Sequence, residues 1–153
     1  MTNYSAIGRR SKTTGSTYER TIAKHLTVWW GATFSRVPAS GGLHWHSSMN
    51  AFGDIIAPHE AGFPFVIECK KREEWTLDNL FRNNKEIKLW WEQVVHDADE
   101  SQRVPMLIFS RNRAEDFVML PYNQTFLDNY IVHAPRASRM VTYVEYLDEH
   151  KRP

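Results

Sequence analysis

The sequence carries a single cysteine, Cys69, in 153 residues. A lone thiol makes no internal disulfide and no cysteine-rich zinc site, so a reducing, cytoplasmic setting is expected. No apolar run approaches the roughly 18 residues that a membrane helix needs, and no membrane partner is expected. The basic residues near the N-terminus are not followed by an apolar stretch, so no secretory signal is expected. Internal repeats and low-complexity tracts are absent. So is any excess of one charge: 19 basic side chains stand against 18 acidic ones. What is present, 42% hydrophobic and 24% charged residues, is the balance of one ordinary folded domain and argues against global disorder.

The near-neutral total hides a partition. Residues 1–40 hold Arg9, Arg10, Lys12, Arg20, Lys24 and Arg36 against Glu19 alone. A basic N-terminal third on a near-neutral chain gives a local positive face for a polyanion, with a solvated basic tail as the bland alternative.

Residues 1–14 are polar and basic without periodicity and read as a flexible arm, leaving 15–153 as the folded domain. A helix is expected from about Ser16 to Trp30. Ser16 and Glu19 have capping-box spacing, and Tyr18, Ile22, Leu26 and Trp29 form its buried stripe. Gly31 suits the left-handed position after the helix. Short strands are expected at 33–37, 51–57 and 65–70, the last two as a hairpin or as neighbours. Between the first two lies a Pro/Gly/Ser/His-rich loop. A helical pattern spans Trp75 to about Glu100. Strands follow at 104–110 and 116–121, then a short helix near 123–130 and a last strand at 140–147. The order predicts an α/β single domain, a central mixed sheet flanked by helices.

The chemistry gathers on Phe65-Val66-Ile67-Glu68-Cys69-Lys70. Strand alternation sends Phe65, Ile67 and Cys69 to one face, and Val66, Glu68 and Lys70 to the other. A carboxylate and an ammonium in an apolar strand are costly unless paired or functional. Asp54 leads the apolar run Ile55-Ile56. If the two strands are neighbours, Asp54 and Glu68 converge, and Asp54, Glu68 and Lys70 share one inward face. Two carboxylates with a backbone carbonyl, that of Cys69, form the hard-oxygen set that Mg²⁺ prefers, and Lys70 beside them suits a phosphate or a water.

Gly53-Asp54 and Glu68-Cys69-Lys70 in this arrangement resemble the signature of the PD-(D/E)xK nuclease superfamily, without a proline before Asp54. Gly15-Ser16-Thr17-Tyr18-Glu19-Arg20 resembles the first-helix motif of archaeal-type (Hjc-like) Holliday junction resolvases. Arg36-Val37-Pro38-Ala39-Ser40-Gly41-Gly42 is similar to the loop that follows, and the stretch starting Ile67-Glu68-Cys69-Lys70-Lys71-Arg72 is similar to phage-encoded members. The resemblance covers about residues 13–110 and implies a restriction-endonuclease-like αβββαβ core. It implies an acidic cluster of Glu19, Asp54 and Glu68, with Lys70 as the catalytic lysine and Gln93 near the active site. It implies Mg²⁺, replaceable by Mn²⁺, and in-line attack of a metal-activated water leaving a 5′-phosphate. Paired nicks in a four-way DNA junction by a homodimer follow, with no nucleotide cofactor, in the host cytoplasm for a phage protein. Flaps, forks or duplex DNA are the alternative substrates for the same chemistry, and a non-catalytic branched-DNA-binding protein is the alternative from another class.

For DNA contact the candidates are Arg9, Arg10 and Lys12, then Arg36, Ser40, His44 and His46 in and before the loop, and Lys71 and Arg72 after the lysine. The His44-x-His46 pair lacks ligands for zinc beyond His59, so a DNA-facing loop is preferred over a metal or a plain loop. Cys69 is expected as a small core residue. Glu19 has two readings, cap or metal ligand, that one side chain does not readily combine.

Overall fold

The computed structural model describes residues 4–38, 52–76 and 85–121. The elements are α1 (Tyr4–Trp30), β1 (Ser35–Arg36), β2 (Ile55–Ile56), a 3-10 turn (His59–Ala61), β3 (Phe65–Lys71), α2 (Lys85–Ser101), β4 (Val104–Ser110) and β5 (Phe117–Met119). This is the expected α/β domain, and through β4 the order is the expected αβββαβ.

The apolar runs of β3 and β4 are nearly continuous because both faces of the sheet are covered. β3 and β4 run parallel, with α2 as the crossover between them, and β5 closes antiparallel on β4. Phe65, Ile67 and Cys69 of β3 pack with Met106 and Ile108 against Tyr18, Ile22, Ala23 and Leu26 of α1. Val66, Leu107 and Phe109 pack on the opposite face against Ile87, Trp90, Val94 and Ala98 of α2. The alternation read from the sequence is thus realised with a helix on each side.

β1 and β2 form a separate antiparallel ladder, pairing Ser35 with Ile56 and Arg36 with Ile55. They are shorter than the expected strands. The 51–57 run does not make a regular hairpin with β3; it meets β3 through the Asp54 amide, which donates to the Ile67 carbonyl at 2.7 Å. Gly53 explains the close approach. Its φ is +73°, and a Cβ there would lie 2.3 Å from the Ile67 oxygen.

Three expectations are corrected. Residues 4–14 are helical, continuing α1 backwards, rather than an arm without structure. No proline interrupts them, and extending an existing helix avoids the cost of a new nucleus. Consequently Ser16 is inside the helix and caps nothing: its hydroxyl donates to the Thr13 carbonyl at 3.2 Å. Trp75 is not helical; it is buried against the α2 face, its ring edge-on to Phe109 and Phe117 and its indole N–H donating to the Ser110 carbonyl at 3.4 Å. Tertiary packing, not helical periodicity, explains this tryptophan. Gly31 ends α1 at φ +79°, as expected. The expected helix near 123–130, the strand at 140–147 and the loop residues Ser40, His44 and His46 lie outside the described residues.

Candidate active site

β3 is the edge strand of its sheet, and the site is built around that edge. The Arg72 amide donates to the Ser110 carbonyl and the Val104 amide to the Pro64 carbonyl, so even-numbered backbone groups along β3 face β4. Odd-numbered groups face the other way, towards Asp54. The Ile67 carbonyl accepts the Asp54 amide, and the Cys69 amide donates to Asp54 Oδ2 at 2.8 Å. One strand residue presents its N–H and C=O to the same edge. The Cys69 carbonyl therefore opens on the side where the Asp54 carboxylate sits.

Glu68 and Lys70 share the α2 face of β3. Glu68 is buried, with its side chain 3% exposed, and Lys70 Nζ donates to Glu68 Oε1 at 2.5 Å. The same ammonium donates to Gln93 Oε1 on α2 at 3.3 Å. Glu19 approaches from the opposite side, on α1, where it accepts from Arg36 Nε at 2.6 Å. Asp54 comes in edge-on between them. The expectation that Asp54, Glu68 and Lys70 share one face is therefore corrected: Glu68 and Lys70 do, while Asp54 meets the strand at its edge because its backbone follows the Gly53 turn.

The electrostatics tie these residues into one field. Burial, then the charge of Glu68, push the Asp54 carboxyl up to about 7; the Cys69 amide and Lys70 work against this, and Glu19 adds to it. Burial also raises the Glu68 carboxyl, opposed by Lys70, with Asp97 and Glu19 adding to the rise. Cys69 packs among the α1-side core residues, and burial pushes its thiol well up, so it is a core residue and not a nucleophile.

Asp97 is absent from the sequence-based site. It lies four residues after Gln93, one turn along the same helix face, and this spacing is the signal that points to it. The capping explanation for Glu19 falls with the cap itself. Arg36, expected on DNA, is here the partner of Glu19. The Lys71 ammonium lies over the Tyr18 ring at 5.5 Å, while the Tyr18 hydroxyl donates to Asp116 at 2.9 Å. Arg72 is exposed, at the end of β3. Arg9, Arg10 and Lys12 lie on the N-terminal part of α1.

The donors suit a hard divalent cation: carboxylates at Asp54 and Glu68, a carbonyl at Cys69, and excess buried negative charge that raises Asp54. Among the described residues, however, no three His, Cys, Asp or Glu side chains are gathered closely enough to enclose an ion. Glu68 leans on Lys70 and Glu19 on Arg36. No helix among the described residues is long and apolar enough to cross a membrane.

Comparison with known proteins identifies the family. Protein D14 of Escherichia phage T5 is 27% identical over 129 residues, covering 81% of this chain and 78% of that protein. Among solved structures, a 1.6 Å structure of Archaeoglobus fulgidus Hjc, a Holliday junction resolvase from an archaeal hyperthermophile, is 22% identical. That match covers 69% of this chain and 76% of the other, with a TM-score of 0.43. The family described as "Phage putative PDDEXK endonuclease" matches residues 10–152. Since that match runs through almost the whole sequence, from the basic part of α1 past the Asp54–Glu68–Lys70 edge, the chain belongs to the phage PDDEXK endonuclease family.

Proposed function

We propose that this nuclease is a Mg²⁺-dependent endodeoxyribonuclease that acts on branched DNA, four-way junctions foremost, as a homodimer. One observation carries the chemistry. At a single strand edge Asp54 accepts the Cys69 amide while the buried Glu68 holds Lys70, and Lys70 also reaches Gln93.

The residues divide the work. Asp54 and the Cys69 carbonyl offer hard oxygens at the edge of β3, Glu68 offers one from the α2 face, and Glu19 offers a fourth from α1. A bound Mg²⁺ or Mn²⁺ would acidify a water and neutralise charge on the leaving oxygen. Lys70, fixed between Glu68 and Gln93, places an ammonium where charge develops on the phosphate. Gln93 restrains Lys70 without adding charge. The Cys69 amide orients Asp54 through one carboxylate oxygen and leaves the second for a cation.

The substrate rests on the sequence resemblance: the Gly15–Arg20 helix motif and the Arg36–Gly42 loop are similar to those of junction resolvases. A two-fold dimer supplies two like sites at fixed separation, which paired nicks across a junction require. Arg9, Arg10, Lys12, Lys71 and Arg72 are the proposed backbone contacts.

The test is cleavage of an end-labelled synthetic four-way junction beside a fork and a linear duplex, in Mg²⁺ and in EDTA. Symmetric paired nicks confined to the junction and lost in EDTA are expected. Equal cutting of all three would keep the active site and overturn the substrate. Tight junction binding without cutting in any metal would make the chain a binding protein. Asp54→Asn, Glu68→Gln and Lys70→Ala are each expected to abolish cleavage and retain junction binding by gel shift.

A further inference from the structure

We propose that Arg36 is a built-in counter-cation that competes with the divalent ion for Glu19, so that metal entry releases the guanidinium towards the phosphate. The proposal rests on the metal-site reading above and adds to it an exchange that Glu19 and Arg36 undergo.

The first observation is the contact itself. Arg36 Nε meets Glu19 Oε2 at 2.6 Å, and both side chains are about four-fifths buried, at 19% and 18% exposure. A partly buried charge-assisted hydrogen bond of this length is not an incidental surface pair. The second is where Arg36 is anchored. Its strand pairs it with Ile55, and the next residue, Val37, donates its amide to the Asp54 carbonyl at 2.8 Å. The ladder that fixes Asp54 thus also fixes Arg36. The third is the field. Glu19 raises the carboxyls of both Asp54 and Glu68, so it belongs electrostatically to their cluster although its side chain is turned to Arg36.

Among the described residues, Glu19, Asp54 and Glu68 gather at the edge with Asp97 acting on Glu68 from α2, and Lys70 and Arg36 are the cations paired with Glu68 and Glu19. Lys70 holds Glu68 and Arg36 holds Glu19. Glu19 cannot give the same oxygen to Arg36 and to a metal ion. If Glu19 turns inward, Arg36 loses its partner beside the site where a phosphodiester must lie, and a guanidinium suits two phosphate oxygens. Arg36 then acts as a positioning residue for Glu19 in the free enzyme and as a phosphate contact in the loaded one. Both sequence-based roles, Glu19 on metal and Arg36 on DNA, follow from one rearrangement.

The test is a double-mutant cycle on Mn²⁺ affinity, read by the electron paramagnetic resonance of free Mn²⁺ with the full chain and no DNA. Removing the competitor by Arg36→Gln is expected to tighten Mn²⁺ binding by roughly tenfold, within the usual range of site coupling. In a Glu19→Gln background the same substitution is expected to change the affinity less than twofold. Tightening of equal size in both backgrounds would mean a general field effect and overturn the exchange, as would unchanged or weaker binding on Arg36→Gln. Asp54→Asn separates the two levels. If it loses Mn²⁺ while Arg36→Gln gains nothing, the metal site stands and the exchange alone fails. If it binds Mn²⁺ like the wild type, the metal-site reading fails and takes the exchange with it. Arg36→Met, which removes the charge and keeps the apolar stem, runs the same cycle should the glutamine variant not fold, and Glu19-dependent tightening is again expected.

Discussion

Asp54 occupies an electrostatically costly position. Its carboxyl is partly buried beside Glu68, and the result is a rise from an ordinary value of 3.8 to about 7. A carboxyl whose folded value is raised contributes stability below its unfolded value and loses it as pH climbs through the folded one. Metal-free protein should therefore weaken between about pH 4 and pH 7, and the raised Glu68 acts in the same direction. Asp54→Asn keeps an acceptor for the Cys69 amide and removes the charge. In EDTA it should unfold at higher urea than wild type at pH 8 and at similar urea near pH 4, the gap reaching at most about 4 kcal/mol at ~1.36 kcal/mol per pH unit. Parallel pH profiles for the two proteins would show that Asp54 is not strained by charge. The same substitution that abolishes cleavage is thus expected to stabilise the fold, as befits a residue kept for chemistry. At this scale the sequence was most legible. Glu68, Lys70 and Asp54 stood out because charged residues in apolar strands need a reason. The Glu19–Arg36 pair was hidden because the two lie 17 residues apart on elements whose packing no local pattern encodes. Asp97 was missed although it lies one helical turn after Gln93, because that spacing becomes a signal only once Gln93 is known to face β3.

The elements decide how these residues meet, and two of them carry sharp tests. The first is the turn at Gly53. Its positive φ and the 2.3 Å approach of a virtual Cβ to the Ile67 oxygen leave no room for a side chain. Gly53→Ala should cost about 1–3 kcal/mol, the usual scale of such backbone strain, and should pull Asp54 off the Cys69 amide. Urea unfolding and cleavage assays should show both losses; full activity would mean that the edge tolerates a shifted Asp54. The second is α1. Periodicity located its buried stripe correctly, but the S-x-x-E spacing suggested a start at Ser16 that the structure does not use. The motif is local chemistry, and a helix that continues past it has no orphan amides there for the hydroxyl to satisfy. Ser16→Ala should therefore change stability by less than about 0.5 kcal/mol, where loss of a true N-cap would cost about 1 kcal/mol. A loss of 1 kcal/mol or more in chemical denaturation would restore the cap. Strand lengths were less legible than strand positions. The 51–57 run is apolar enough for a longer strand, yet the Gly53 turn and the single Asp54–Ile67 hydrogen bond limit pairing to Ile55 and Ile56.

Across the whole molecule, α1 joins the basic N-terminal third to the acidic site. It is one helix from Tyr4 to Trp30, and Glu19 lies within it. At 1.5 Å per residue, Lys12 stands about 10 Å and Arg9 about 15 Å along the axis from Glu19. An unstructured arm would leave this backbone anywhere within reach; a helix fixes its axial distance from Glu19. The backbone of the basic segment is thereby continuous with that of Glu19. A protein that neutralises phosphates releases counterions, and the slope of log affinity against log salt is about −0.9 per phosphate on duplex DNA. Replacing Arg9, Arg10 and Lys12 together by Ala should therefore flatten that slope by roughly 2 to 3 for junction binding measured in Ca²⁺ between 50 and 200 mM salt. Mn²⁺ affinity in the absence of DNA, measured at 200 mM salt, should stay within about twofold, since these distances then exceed the Debye length. An unchanged slope would make this part of α1 a solvated helix and leave DNA to Lys71, Arg72 and the released Arg36. A flattened slope together with a changed Mn²⁺ affinity would mean that the two ends of α1 are coupled, and that the helix conveys DNA binding to Glu19.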